Sequence, residues 1–558
     1  MDNYAIADNF SLLAKLIDIH GDNSFKAKSY ASAAFTIEKL PVQLSTLQTG
    51  KISDLRGIGD SIAKKIVEQL ETSRLSELDS YIIKTPVGLF EMLKIKGLGP
   101  KKIATVWKEL EIENIGELLY ACNENRLLLY KGFGEKNQQS IKTSIEFYLN
   151  NQGHYLFSQI EEFATAFTKR IETELSFTFL PTGDFRRHAE VIHKLEWVTD
   201  IDQPTLVTWL SENEYTIQEK EGFLEAKGTE NVTMHFFLTS SSSMYNKLFE
   251  TTGSPEFLNA WQQTFTYLGN AEIKKEEDIF SEKQVAFIPP FLREQAAIIT
   301  KAQANNIPNV IEVSDIKGII HTHSNWSDGS NTIEEMARGA IAKGFEYLVI
   351  SDHSKSAFYA NGLYPDRINA QHQLIRGLNE ELSPFKIFKS IESDILNNGS
   401  LDYDESVLST FDLVIASVHS NLKMSEEKAM SRLLAAIANP YTTILGHMTG
   451  RLLLSRNGYP VNYKNIIDAC AKYNVVIELN AHPRRLDMDW RYLDEAISNG
   501  VLISINPDAH SIGAFNDIRF GVLAAQKGGL TKQDNLSCFT LTQFEEFLKK
   551  QRLKQKIL

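Results

Sequence analysis

The sequence predicts a multidomain protein with a helical N-terminal region, a central α+β region and a C-terminal barrel of the (β/α) type. The chain has 558 residues, which exceeds the size of one ordinary hydrophobic core. Glycine turns that open helices recur in the first 150 residues. From residue 313 onward, short apolar runs alternate with segments long enough for helices, which is typical of a barrel.

The composition is that of a globular protein without a broad electrostatic attraction to nucleic acid. Hydrophobic residues make up 43% and charged residues 23% of the chain, and the formal net charge is −13. Because phosphate neutralisation dominates binding to nucleic acid, any DNA contact is expected to be local, or made through backbone amides and metal ions. No run reaches the length of a membrane span and the N-terminus carries acidic residues, so a cytoplasmic protein without a membrane partner is expected. Cys122, Cys470 and Cys538 are far apart and are expected to be reduced packing residues.

The C-terminal region carries seven apolar runs, each ending in a polar residue. In chain order they are "GIIHTH", "YLVISDH", "FKSIESD", "LVIASVH", "TILGH", "VVIELN" and "LISINPDAH". Continuous apolar strands, separated by helices such as "TIEEMARGAIAKG", indicate a parallel sheet covered by helices. Seven such units predict a barrel, in which an active site lies at the C-terminal ends of the strands.

Histidines and acids collect at those strand ends and in the loops that follow. Because alternate residues of a strand share a face, His321 and His323 are expected to lie side by side. Taken alone, the pair fits either a metal site or hydrogen-bonded structural histidines, but the series as a whole favours metal. Imidazole and carboxylate without thiolate suit Zn, Mn or Fe, and two or three such ions suit phosphoester hydrolysis. The series is His321, His323, Asp328, Asp352, His353, Glu392, Asp394, His419, His447, Asp508 and His510.

These motifs resemble the polymerase and histidinol phosphatase (PHP) domain. "HTHSNWSDG", "SDH", "IESDIL", "ASVH", "LGHMTGR" and "NPDAH" follow in register over residues 313 to 558, which implies a distorted (β/α)7 PHP barrel. The resemblance implies one ion on His321, His323, Glu392 and Asp508, a second on Glu392, His419 and His447, and a third on Asp328, His353 and His510. It further implies catalytic roles for Glu392, His323 and Asp508, and supporting roles for Asp352 and Asp394. Ile319, Met448 and Pro507 depart from the pattern of that domain without removing a ligand, which leaves rate and metal preference open.

The N-terminal region repeats a second motif three times, in "LRGIGDSIAKKI", "LKIKGLGPKKIATVW" and "LYKGFGEKNQQSI". Each repeat resembles the helix-hairpin-helix motif, whose glycine turn lets backbone N–H groups reach a DNA phosphate without reading the base sequence. Glycine turns between packed helices remain the alternative. The expected DNA-binding residues are Gly57, Gly59, Lys64, Lys65, Gly97, Gly99, Lys101, Lys102, Gly132, Gly134 and Lys136. "SFKAKSYASAA" resembles the start of the small 5′-end-binding domain of family X DNA polymerases, so residues 1–80 are expected to form that domain and 81–150 a helix-hairpin-helix region.

That family implies an α+β nucleotidyltransferase-like palm and thumb in residues 151–312, with three carboxylates for two magnesium ions. "PTGDFRRHAEVIHKLEWV" keeps the glycine and two arginines of the family pattern, but Asp184 replaces a serine and the first two acid positions fall on Lys194 and Glu196. The third acid position falls on Thr233. The pair Asp200 and Asp202 has the right spacing but lies six residues too late, and is expected to be loop or capping residues. A degenerate polymerase site is therefore expected, and a magnesium–dNTP complex is not.

The combined resemblance implies a bacterial family X polymerase whose polymerase site has decayed and whose PHP domain is a metal-dependent 3′–5′ DNA exonuclease in repair. The implied partner is DNA that is gapped or has a free 3′ end, and the implied ions are two or three of Mn or Zn, with Fe as an alternative. Three other readings stay open. They are a phosphatase for small phosphomonoesters, a non-catalytic DNA-binding scaffold and a residual gap-filling polymerase.

Overall fold

The structure is a computed structural model that describes residues 1, 3–38, 40, 42–55, 57–150, 153–228, 232–265 and 273–555. The chain divides into two compact units, Met1–Tyr148 and Leu149–Leu558. Cys122, Cys470 and Cys538 form no disulfide bond among the described residues, as the sequence predicts. Among the described residues, no helix is both long and apolar enough to cross a membrane.

The N-terminal unit is helical in its described residues. Apolar residues on one face of the first helix, among them Phe10, Leu13 and Ile17, are fully buried against the second helix, where Tyr30 stacks on Phe10. The helices are α1 (Asn3–His20), α2 (Ser24–Glu38), α3 (Asp60–Thr72), α4 (Ser76–Lys84), α5 (Val87–Met92), α6 (Pro100–Lys108), α7 (Ile115–Asn123) and α8 (Glu135–Asn150). Short helices that cannot persist alone are thus stabilised by packing.

The central region forms the expected α+β unit around a mixed sheet. Its five strands in the described residues run in the order β2-β4-β7-β6-β5, with β4 and β7 parallel and the other neighbours antiparallel. Trp197 of β4 stacks on Phe236 of β7 and both are buried in the core. The elements are β1 (Tyr155–Leu156), α9 (Phe157–Leu175), β2 (Phe179–Thr182), α10 (Gly183–Arg186), β3 (Val191–Ile192), β4 (Leu195–Thr199), α11 (Gln203–Glu212), β5 (Thr216–Lys220), β6 (Phe223–Lys227), β7 (Thr233–Leu238), α12 (Met244–Thr252), α13 (Pro255–Thr264), α14 (Glu276–Glu282) and α15 (Ala297–Gln303).

The C-terminal region is a parallel barrel with an outer layer of helices, which confirms the predicted fold. In residues 313–555, all of which the structure describes, seven strands lie side by side in chain order, each parallel to its neighbours. The elements are β8 (Gly318–Thr322), α16 (Ile333–Ala342), β9 (Tyr347–Ile350), α17 (Pro365–Glu381), β10 (Lys386–Asp394), α18 (Glu405–Leu408), β11 (Leu413–Ser417), α19 (Glu426–Ile437), β12 (Ile444–Leu445), α20 (Tyr463–Tyr473), β13 (Val476–Asn480), α21 (Leu493–Ser498), β14 (Ile503–Asn506), α22 (Ile518–Lys527) and α23 (Leu541–Gln555).

The first and last strands of the barrel meet only just beyond their C-terminal ends, so the barrel is nearly closed. The backbone N–H of His323 donates to the carbonyl of Ala509 at 2.9 Å, and the Ala509 N–H donates to the carbonyl of His321 at 3.2 Å. At the opposite end, Phe544 of α23 stacks on the buried ring of Tyr347 at 4.5 Å. The barrel is therefore plugged at its base, and the closing contact brings β8 and the loop after β14 together where the histidines lie.

A buried ion-pair network joins the central region to the barrel. The ammonium of Lys527, at the end of α22, is 1% exposed and lies 2.8 Å from Glu294 and 3.8 Å from Glu190. It also lies 4.9 Å from the ring centre of Trp490. Because a buried charge is costly without a partner, Lys527 and the two carboxylates depend on each other.

Replacing Lys527 tests this junction. Lys527→Ala leaves Glu294 buried without its cation, so we expect a loss of about 3–5 kcal/mol in the free energy of unfolding, read as a lower urea midpoint by tryptophan fluorescence. Lys301→Ala is the matched control, because Lys301 pairs across the same junction with Asp494 but the two side chains are 39% and 60% exposed. That exposed pair is expected to contribute about 1 kcal/mol or less. Equal shifts in the two variants would contradict the role of Lys527.

Candidate metal centre

Two ligand candidates are carried by strained backbone at the point where the barrel closes. His321 has φ of +63° and Asp508 has φ of +54°, in the left-handed region that residues other than glycine seldom adopt. The register between β8 and β9 is irregular between Ile319 and Thr322. His321 and His323 are both fully buried at one site, as expected, but through this irregularity rather than through regular strand alternation.

Glu392, two residues before the end of β10, is the centre of the site. It is 1% exposed, and five imidazole nitrogens of the described residues lie within 3.7 Å of its two carboxylate oxygens. Oε1 lies 3.0 Å from His447 Nε2, 3.1 Å from His419 Nε2 and 3.3 Å from His321 Nε2. Oε2 lies 2.9 Å from His353 Nδ1 and 3.7 Å from His323 Nε2.

Two aspartates extend this cluster on either side of His323. Asp508 Oδ1 lies 3.1 Å from His323 Nε2 and 3.5 Å from His321 Nε2. Asp328 lies 3.4 Å from His510 Nε2 through Oδ1 and 3.5 Å from His353 Nε2 through Oδ2. All nine ligand candidates predicted from the sequence thus come together at the C-terminal end of the barrel.

The donor atoms form overlapping groups in which they lie within 4.8 Å of one another. These groups are His323 with Asp328, His353 and His510, then His321 with His323 and Asp508, and finally His353 with Glu392 and His419. His323 and His353 each belong to two groups. The sets implied by resemblance separated His353 from Glu392 and His419, whereas the geometry brings these three residues together, so the division among ions is less distinct than expected.

Several donor atoms of the cluster are buried and make no hydrogen bond with the described residues. They are His321 Nε2, His323 Nδ1, both ring nitrogens of His353, His447 Nδ1, Asp328 Oδ2 and Glu392 Oε2. Buried polar atoms are rarely left without a partner unless a ligand or ion binds them. Except for His447 Nδ1, each of these atoms lies within 3.9 Å of another ligand candidate. A donor set of nitrogen and carboxylate groups alone fits divalent ions of the Zn, Mn and Fe group.

The electrostatics keep the carboxylates ionised and some of the imidazoles neutral. Burial alone would raise the pKa of Glu392, but His419, His321 and His353 hold that pKa well below its ordinary value. Burial lowers the pKa of His323, and His510 and His353 lower it further. Ionised carboxylates and neutral imidazoles are the forms that bind metal.

Glu478 of β13 is a functional residue that the sequence analysis missed. It is fully buried, and its Oε2 lies 2.6 Å from His321 Nδ1 and accepts a bond from Asn506 Nδ2 at 2.7 Å. Its Oε1 accepts from the backbone N–H of His447 at 3.0 Å and from Asn480 Nδ2 at 3.0 Å. This contact directs His321 Nε2 toward the centre. The signal in the sequence was an acid inside the apolar strand "VVIELN", because a carboxylate buried there needs a partner.

Asp352 and Asp394 have the supporting positions that the sequence predicts. Asp352 accepts bonds from the N–H of Ser324 at 2.8 Å and from Gln371 Nε2 at 2.7 Å, and so holds the loop that carries Asp328. Asp394 is hydrogen-bonded through Oδ1 to His419 Nδ1. The other ring nitrogen of His419 is thereby turned toward Glu392.

In the N-terminal unit, the three glycine turns share one geometry. The first glycines, Gly57, Gly97 and Gly132, have φ of +89°, +86° and +98°, which explains the glycine at each. The apolar residue of each turn is buried, and Gly59 and Gly99 are the N-caps of α3 and α6. Among the described residues, no atom outside the neighbouring backbone lies within 4 Å of a Cβ built on Gly59, Gly97, Gly99, Gly132 or Gly134. The turns therefore present open backbone at helix starts, which is the geometry that receives a phosphate.

The lysines that follow these turns differ in their surroundings. Lys64, Lys101 and Lys136 are exposed. The Lys65 ammonium lies 2.6 Å from Glu77, which also pairs with Lys26 at 2.5 Å. Lys102 donates to the Gly97 carbonyl at 3.0 Å. Lys65 and Lys102 are thus held by internal contacts, and the exposed lysines are better placed to meet a phosphate.

In the central region, side chains at the expected acid positions pair with one another. Lys194 Nζ lies 2.7 Å from Glu196 Oε1, and burial of Glu196 is offset by His235 and Lys194, which lower its pKa. A Cβ on Gly183 would lie 1.9 Å from Glu196 Oε2, so this carboxylate is packed under the turn. Thr233 begins β7, opposite Lys227.

The two arginines of the same motif are engaged by internal acids. Arg186 makes two bonds to Glu276, of 2.9 and 2.7 Å, and Arg187 pairs with Asp184 and, at 3.1 Å, with Glu294. Farther along, Asp202 caps α11 by accepting from the Thr205 N–H at 3.0 Å, and Asp200 accepts from Ser241 at 2.6 Å, as predicted for loop and capping residues.

Three parts of the chain match known protein families. Residues 1–75 match a helix-hairpin-helix domain, residues 90–146 a SAM-like helix-hairpin-helix tandem, and residues 320–482 the PHP domain. The chain is also 28% identical over 252 residues to a probable phosphatase of Thermoanaerobacter sp. (strain X514), a match that covers 42% of this chain and 95% of that protein.

One relative matches almost the whole chain. It is the DNA polymerase/3′-5′ exonuclease PolX of Bacillus subtilis (strain 168), 33% identical over 571 residues that cover 96% of this chain and 98% of that protein. The match includes the hairpin region, the central mixed sheet and the barrel in one order. This chain therefore belongs to the family of bacterial family X (PolX-type) DNA polymerases that carry a C-terminal PHP domain.

Proposed function

We propose that this protein is a metal-dependent 3′–5′ DNA exonuclease of DNA repair, with the PHP barrel as its catalytic centre and a central region that no longer polymerises DNA. The observation that carries the proposal is the buried Glu392 carboxylate within 3.7 Å of five imidazole nitrogens, two of which, His321 Nε2 and His353 Nδ1, make no hydrogen bond with the described residues. The relative from Bacillus subtilis, whose name includes this exonuclease activity, supports the same assignment.

The residues of the barrel would have different roles in holding the ions and in orienting the ligands. Glu392 and His323, at the centre, and Asp508, beside the closing contact of the barrel, would be the principal residues that hold the ions. When bound, two or three divalent ions of Mn or Zn, with Fe as an alternative, would lower the pKa of a water and neutralise the scissile phosphate. Glu478 fixes the orientation of His321, and Asp394 that of His419.

The central region supports the second half of the proposal. Two-metal nucleotidyl transfer needs carboxylates that are free to bind cations. Glu196 already pairs with Lys194, and Arg186 and Arg187 already pair with Glu276 and Glu294. A magnesium–dNTP complex would have to displace these internal ion pairs, and Thr233 would supply no third carboxylate.

The N-terminal hairpins would hold the DNA. Their open glycine turns and the exposed Lys64, Lys101 and Lys136 suit sequence-independent contact with the backbone near a gap or a free 3′ end. A phosphatase acting on small phosphomonoesters is the second candidate, since relatives of the barrel alone are named probable phosphatases. Such an enzyme would have no use for the hairpins.

Metal content tests the centre directly. We expect Glu392→Ala and His323→Ala to lose at least one equivalent of Mn or Zn after loading and desalting, because each residue contacts several other donors, with plasma mass spectrometry as the measurement. His372→Ala is the control, since His372 is buried on α17 against Phe411, outside the cluster. Full metal content in the first two variants, with circular dichroism unchanged, would contradict the proposed ligands.

Primer length on a gel tests the reaction. With Mn²⁺ and a 5′-labelled primer on a gapped template, we expect shortening whether or not dNTPs are present. Glu392→Ala should abolish shortening, and Glu478→Gln should slow it about 10-fold to 100-fold, because loss of a partner that orients a ligand has that typical effect. Primer extension by the wild-type protein would show that the central region is an active polymerase.

The salt dependence of DNA binding tests the hairpins. Lys101→Ala and Lys136→Ala should each weaken binding to gapped DNA and reduce the slope of log K against log salt by about 1. Lys169→Ala, at an exposed position on α9, is the control. Fluorescence anisotropy over a salt series measures the slope, and unaltered slopes in the hairpin variants would make the glycine turns structural.

A further inference from the structure

Two exposed aromatic rings lie on one loop beside the metal centre. Phe358 is 75% exposed and Tyr364 is 58% exposed, and both belong to the connection between β9 and α17. Residues 313–553 of the barrel are all described, and in that range no other aromatic side chain is as exposed. Scattered exposed apolar residues are ordinary, but two on one loop at a catalytic mouth indicate a contact surface.

The loop is continuous with the proposed catalytic centre. It follows directly after His353, and the ring of Tyr359 lies 6.4 Å from the ring of His353. Phe358 in turn lies 5.9 Å from Tyr359, measured between ring centres. Phe358 is thus separated from the ligand candidate His353 by the single ring of Tyr359.

Hydrogen bonds hold the loop in this position. The N–H of Ser356 donates to Asp402 at 2.6 Å, and that of Lys355 donates to the Tyr403 hydroxyl at 3.0 Å. The N–H of Leu363 donates to the His353 carbonyl at 2.8 Å, which closes the loop at its far end. Phe358 is therefore exposed on an ordered backbone, so that little conformational entropy would be lost when a ligand covers it.

A second ligand-bearing loop is tied to the first. Asn361 Nδ2 donates to the carbonyl of Trp326 at 3.2 Å, and Arg367 also bonds to this carbonyl. The Arg367 guanidinium lies 5.9 Å from the ring centre of Trp326. Trp326 is half-buried and lies two residues before Asp328. We call Trp326, Phe358, Tyr359 and Tyr364 the aromatic rim.

The charge of the chain favours one kind of occupant. With a net charge of −13, the protein has little general attraction for phosphates. Stacking of bases on aromatic rings needs no charge and tolerates any base, because every base has a π-face. An enzyme that removes nucleotides one after another requires that tolerance.

We propose that the aromatic rim is a stacking platform for the terminal bases of single-stranded DNA, with Phe358 and Tyr364 as the principal contacts. This inference rests on the proposed exonuclease function and deepens it. The rim would hold the 3′ end at the ligands after each cleavage. It would also make the barrel prefer polynucleotides to small phosphate esters, although both contain the same reactive group.

Kinetics on two oligonucleotides test the rim. The first is a single-stranded DNA with ordinary 3′-terminal nucleotides, and the second carries three tetrahydrofuran abasic residues at that end. For the first substrate, Phe358→Ala and Tyr364→Ala should each raise KM about fivefold to 100-fold while kcat stays within about twofold. For the abasic substrate, both variants should match the wild type. Phe358→Trp should have a KM close to that of the wild type, unlike Phe358→Ala, because it keeps a planar aromatic ring at this position.

A control and three distinct outcomes complete the test. Phe177→Ala removes an exposed ring from the central region and should change neither constant. Equal losses on both substrates would mean a structural defect and would overturn the stacking role. Unchanged kinetics on ordinary DNA would also overturn it and would leave the rim to a protein partner. Absence of DNA cleavage by the wild-type protein would instead count against the exonuclease function itself.

Discussion

The desolvation of one carboxylate governs the architecture of the barrel's upper end. Glu392 is almost completely removed from water at the end of β10, and an ionised carboxylate in such a place is costly unless cations or hydrogen-bond donors surround it. The neighbouring strands supply imidazoles from several directions, and His321 and Asp508 adopt left-handed backbone to reach the same point. The strained closure of the barrel and the convergence of its histidines therefore have the same effect, which is to place compensating groups around the buried Glu392 carboxylate.

The central region meets a similar demand in a different way. There, too, carboxylates are largely buried, namely Glu196 near the start of β4, Glu276 at the start of α14 and Glu294 farther along the chain, but Lys194 and two arginines of the same region neutralise them. An amino-acid cation in contact with a carboxylate leaves no place for a metal cation, whereas a neutral imidazole leaves an open lone pair. The choice between lysine and histidine next to an acid thus separates a closed structural site from one that can take up an ion.

Sequence reasoning located the barrel and its nine ligand candidates because the relevant signals are local. Each strand of a parallel sheet can be recognised from a short apolar run. The residue that follows the run lies at the C-terminal end of the strand, where active sites of such barrels are found. Glu478 was missed because it looks like part of an ordinary strand, and its role depends on His321, 157 residues away. The left-handed conformation of His321 was equally hidden, since it arises from closure between β8 and the loop after β14.

The same limit applies to charged side chains on the surface of the N-terminal unit. Lys64 and Lys65 are adjacent and look equivalent, yet Lys64 is exposed while Lys65 is paired with Glu77 of the next helix. Partner choice of this kind is set by the packing of α3 against its neighbours. The glycine turns, in contrast, were predictable, because a positive φ at the first glycine is a property of the turn itself.

The buried Lys527 makes the barrel dependent on the region that precedes it in the chain. Its carboxylate partners, Glu294 and Glu190, both belong to the central region. A barrel cut out at residue 313 would keep the cation and lose both anions, and would expose the apolar surface around Trp490. The barrel is consequently not expected to fold as an independent domain. The central region therefore stabilises the barrel whether or not it has an activity of its own, because it supplies the carboxylates that neutralise Lys527.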